Sequence, residues 1–91
     1  MIEELQNAIF LELSTKFLFR YNVQKMHYGK NLALSVARKC RNIRDEDEVI
    51  IVFTDTGVFF NNYPDSIEYT TSSILDDIIK IAETHLGQIN G

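Results

Sequence analysis

Residues 30–44 read KNLALSVARKCRNIR, and the period assigned to them decides the fold. Leu32, Val36, Cys40 and Ile43 recur at helical spacing and stack on one side. Lys30, Asn31, Arg38 and Arg41 point away from that stripe, and Leu34 points with them into the middle of a basic face. Gly29 breaks the pattern upstream. The acidic run Asp45-Glu46-Asp47-Glu48 downstream is badly placed for a helix C-terminus, so the spacing predicts a helix over 30–43.

Upstream of it, Ile2, Leu5, Ile9, Leu13 and Phe17 put one apolar stripe on a first helix, with Glu3 and Glu4 suited to the positive end of its dipole. This helix is expected to run to about Phe19. Phe17, Phe19, Tyr21 and Val23 alternate like a strand, so an extended piece over 17–23 is the rival reading.

Downstream, Val49-Ile50-Ile51-Val52-Phe53-Thr54 is rich in β-branched and aromatic residues, Asp55-Thr56-Gly57 turns the chain, and Val58-Phe59-Phe60-Asn61 returns. Gly57 is expected in the left-handed conformation of a three-residue hairpin loop. Val49, Ile51 and Phe53 face one side, Ile50 and Val52 the other. Because both faces are apolar, this hairpin should be covered on both sides, by helices or by a second subunit. Tyr63-Pro64-Asp65-Ser66 is a turn, and Ile67 to Thr71 is a third, more polar edge strand. Ser73 caps a last helix with Asp76 in the capping-box position; Ile74, Leu75, Ile78, Ile79, Ala82 and Leu86 form its apolar face, and Gly87 stops it.

The expected fold is therefore α+β in one small domain spanning 1–91. It is an antiparallel β-hairpin or three-stranded meander with helices packed on it, in the order α-α-β-β-(β)-α. A homodimer is expected, because three short helices leave the hairpin undercovered.

Charge is strongly segregated. Residues 16–44 hold eight Lys or Arg and no acid, for +8, while residues 1–15 carry -3 and residues 45–91 carry -9. A single cysteine excludes an internal disulfide. Acids stand at the N-terminus where a signal peptide needs bases, and no apolar run is long enough to span a bilayer. A cytoplasmic setting with no membrane contact is the expectation.

The chemistry-bearing residues do not converge. Asp55-Thr56-Gly57 after an apolar strand resembles the triplet of retroviral-type aspartic proteases, which pair two such carboxylates across a dimer axis. The departures weigh more: Val58 stands where that family has Ala or Ser, and some forty helix-like residues precede the triplet in what should be an almost all-β chain. A hairpin turn explains the triplet fully. His27 and His85 lack a second ligand at metal spacing, Cys40 sits on the apolar stripe, and Asp76 and Asp77 project ~100° apart on a helix. No glycine-rich phosphate loop is present. The chain is read as a non-enzyme without cofactor or metal.

The basic segment is the better candidate. An apolar Leu34 ringed by Lys30, Arg38, Arg41 and Arg44 has the anatomy of a partner-binding surface for an acidic face on a larger protein. The expected function is a small non-enzymatic protein-binding module, an inhibitor or adaptor of the kind that phages and other mobile elements commonly encode. The alternative is a DNA- or RNA-binding module, loosely winged-helix-like, with the second helix as reader and aromatics interleaved among the bases. The bland reading is internal complementarity, with the basic segment lying against the acidic half.

Overall fold

The structure, a computed structural model, describes residues 2–16, 21–39 and 47–86. The element order is α1 (Ile2–Lys16), β1 (Tyr21–Tyr28), β2 (Asn31–Arg38), β3 (Glu48–Phe53), β4 (Gly57–Phe60), β5 (Ser66–Glu68) and α2 (Ile74–Leu86). The five strands form one antiparallel meander in sequence order, β1-β2-β3-β4-β5. The α+β class stands, whereas the expected order does not: one helix precedes the sheet and one follows it.

The correction falls on the stretch that decides the fold. Residues 31–38 are strand β2, not helix; Cys40, Arg41, Ile43 and Arg44 lie outside the described residues. Gly29 does not separate two helices. With Lys30 it makes the two-residue turn between Tyr28 and its register partner Asn31, and its φ of 64° suits the glycine position of a II′ hairpin. Leu32, Leu34 and Val36 now lie on one face, opposite Phe53, Ile51 and Val49 on β3. Tertiary pairing has overridden the helical propensity of Ala, Leu, Lys and Arg. The extended alternative is the correct one from Tyr21 onward, while residues 17–20 lie outside the described ones.

Both helices pack on one face of the sheet. The core joins Ile9 and Leu13 of α1 and Ile78, Ala82 and Leu86 of α2 to Leu34, Val36, Val49, Ile51, Phe53, Val58 and Phe60. The first-helix stripe is borne out through Leu13, and Gln6, also buried, donates from Nε2 to the carbonyl of Ala33 at 3.0 Å. That bond ties α1 to the second strand. Ser73 precedes α2 as expected, but its hydroxyl donates to Asp77, not Asp76, at 3.3 Å.

Gly57 is not left-handed. It begins β4 beside β5, where a Cβ would lie 2.3 Å from the carbonyl oxygen of Ile67. Its missing side chain permits close backbone approach, and Thr54 makes the turn: its hydroxyl donates to the Gly57 carbonyl at 2.8 Å and accepts from the Gly57 N–H at 3.2 Å. Gly57→Ala should therefore cost about 1–3 kcal/mol through overpacking. Urea melts of the two proteins check this, and an unchanged midpoint would mean that β5 yields freely.

Candidate functional site

Strand alternation sorts the sheet residues into two sets. The set beneath the helices includes every sheet residue of the core. The other set builds a face that no described helix covers, in cross-strand rows: Met26, Ala33, Val52, Phe59 and Ser66 in one, Gln24, Ser35 and Ile50 in the next, Asn22, Ala37 and Glu48 beyond. None of these residues belongs to the core cluster. The β2 residues of this face, Ala33, Ser35 and Ala37, are small.

Tyr28 reaches across from β1. Its ring meets Phe59 edge-on with centroids 6.2 Å apart, and its hydroxyl donates to Oδ1 of Asn61 at 2.9 Å. An aromatic from β1 thus reaches the residues of β4. Ala33 and Val52 have 0% exposure on a face that no described helix covers. Tyr28 itself stays 38% exposed, and Met26, Ile50 and Phe59 are half-buried. Ser35 donates to Glu48 at 2.6 Å. The ionisable strand residues of this face are Glu48 and Glu68, besides Tyr28 itself; Lys25, His27 and Arg38 alternate to the helix side.

Of the residues first singled out as partner-binding, the described ones, Lys30, Leu34 and Arg38, do not share one exposed basic face. Leu34 has 0% exposure and sits in the core, so it is no anchor. Arg38 donates to the Leu86 carbonyl, where a cation suits the end of α2, and its Nε lies 3.9 Å from Asp47. Lys30 is exposed at the β1–β2 turn, away from Arg38 at the other end of the strand; Arg41 and Arg44 lie outside the described residues. Lys16 pairs with Glu83, and Lys25 donates to Asn7 with its ammonium 5.1 Å from the Phe10 ring centre. Both Lys or Arg ion pairs among the described residues thus join a base of 16–44 to an acid of 45–91. Internal complementarity accounts for this share of the segregation, and no basic recognition helix occurs among the described residues.

The other chemical candidates have structural settings. His85, near the end of α2, stacks on Tyr63 at 3.9 Å and binds Asp65 through Nε2, which fastens the β4–β5 connection to the helix. His27 is exposed. No group of three or more His, Cys, Asp or Glu that could hold a metal occurs among the described residues. Asp55 and Thr56 are exposed in a plain turn. No described helix is long and apolar enough to cross a membrane. A shallow depression of about 400 Å³ between β5 and α2 is lined by Ser66, Glu68, Thr70, Asp77 and Lys80 and brings together no reactive group.

Comparison with known proteins adds no relative: no family model, curated protein or solved structure matches the chain.

The uncovered face was half legible in the alternation of Ile50 and Val52. Met26 and Tyr28 were missed, because the alternation of 17–23 was not carried forward as a strand. Two measurements follow. Leu34→Ala should cost about 2–5 kcal/mol of stability as a core truncation, and a stability loss under about 0.5 kcal/mol would return Leu34 to the surface. The second concerns Tyr69, whose hydroxyl is buried without a hydrogen-bond partner. Burial pushes its phenol above the ordinary 10.0, and Asp55 adds to the shift. The fold favours the neutral form, so this contribution is present below the unfolded value and is lost as pH rises through the raised one. Melts taken from about pH 9 upward should show a steeper stability loss in the wild type than in Tyr69→Phe; parallel declines would remove Tyr69 from the account.

Proposed function

We propose that this protein is a small non-enzymatic protein-binding module of the inhibitor or adaptor type, which acts by occupying a surface of a larger protein. The observation that supports this most is the uncovered sheet face, where exposed Tyr28 stands with half-buried Met26, Ile50 and Phe59. Aromatic and methionine side chains are enriched at the centres of protein interfaces, and charged ones are depleted there. Methionine adds a contact that adapts to its neighbour's shape. Glu48 and Glu68 flank the apolar centre, so the partner surface has an apolar centre and a basic rim.

This reading moves the contact surface from the basic segment to the opposite side of the sheet. It keeps the same class of activity and reverses the charge of the partner. The test begins with cross-linking of the tagged protein in host lysate and purification of what it captures. Affinities of wild type, Ile50→Lys, Met26→Lys and Lys80→Glu for the purified partner follow. The two sheet-face variants should bind at least about tenfold more weakly, and Lys80→Glu, on the exposed side of α2, should bind as wild type does. Equal affinity for all four would sink the reading, provided that melting curves show the variants folded.

A further inference from the structure

The two edges of the sheet are unlike. β5 has three residues and follows Pro64, which blunts it. β1 has eight residues in unbroken register with β2, with no proline and no bulge, and no strand lies on its outer side among the described residues. The two-residue turn makes Tyr28 and Asn31 a hydrogen-bonded pair. Counting back from there, Val23, Lys25 and His27 turn their N–H and C=O groups outward.

We propose that this edge pairs with the same edge of a second copy, antiparallel about a two-fold axis at Gln24, to give a continuous ten-stranded sheet. A two-fold normal to the sheet keeps each face on its own side, so opposed residues must be of like parity. Centring on Gln24 sets Val23 opposite the partner's Lys25 and Asn22 opposite the partner's Met26. The outward groups of Val23 and the partner's Lys25 then form a hydrogen-bonded pair, and the exposed Gln24 faces its own copy with both amides in reach. Centring one residue along sets Lys25 against Lys25, and like charges directly opposed are unfavourable. Lys25 is the usual guard of such an edge. Here its ammonium is drawn onto Asn7 and the Phe10 ring of its own α1, which leaves the strand's outer side open. The occupant is a second copy: the registers that pair nearly the whole of β1 with itself centre on Gln24 or on Lys25, and of these only the Gln24 register separates the lysines. This inference rests on the edge and is independent of the face proposed to meet a partner.

The experiment is sedimentation equilibrium over a range of concentrations, with cross-linking in a Cys40→Ser background. The wild type should dimerise. Gln24→Cys should form an intermolecular disulfide, because opposed residues of a non-hydrogen-bonded pair lie about 4.5 Å apart at Cα, within disulfide range. Lys25→Cys should not, since its copies are offset by two positions. Gln24→Lys and Gln24→Glu should each weaken the dimer by about fivefold or more, because only a residue that faces itself is repelled by charge of either sign. Gln24 is exposed, so thermal melts taken at a concentration where all the proteins are monomeric should match the wild type. A monomer at every concentration overturns the proposal. So does a dimer that ignores both charges at Gln24 and leaves Gln24→Cys uncross-linked.

Discussion

Two helices must cover five strands, and they can reach only one face. Every connection inside the meander links neighbouring strands, so no crossover carries a helix to the far side. Strands about 4.8 Å apart spread this sheet over some 19 Å between its outer axes. Two helices about 10 Å wide lie side by side over that span and leave nothing for the second face. The one-sided core follows from this arithmetic.

The same geometry explains where the charges went. A strand sends alternate residues to opposite faces, so Lys25 and Arg38 cannot join Lys30 in one patch. They are carried to the helix side and meet Asn7, Phe10, Asp47 and the last carbonyl of α2 there. Exposed ion pairs of this kind contribute only about 0–1 kcal/mol each. Their effect is on topology: they tie the chain's basic third to the acidic part that follows it.

Much of the fold was legible. The stripe of α1, the β3–β4 hairpin and the apolar face of α2 are each strongly periodic and locally bounded. The failure at β2 has a definite cause. Residues four apart share a face on a helix and on a strand alike, so Leu32 and Val36 cannot distinguish the two. Leu34 can: it lies opposite them on a helix and beside them on a strand. Treating Leu34 as an exposed anchor discarded the one residue that carried the answer. The uncovered face was harder to read, since the Tyr28–Phe59 contact joins strands that are not neighbours and depends on the register of every pair between them.

Gly29 and Thr54 govern tight reversals, and Asn62 follows β4 with a φ of 68°. At these three reversals, β1–β2, β3–β4 and β4–β5, each strand finds its partner within a few residues of chain, and the entropy of closing the loop is small. A sheet built in this way belongs with the quickly assembling topologies in spite of its β content. What remains non-local is the meeting of α1 with α2, fastened by Lys16 and Glu83.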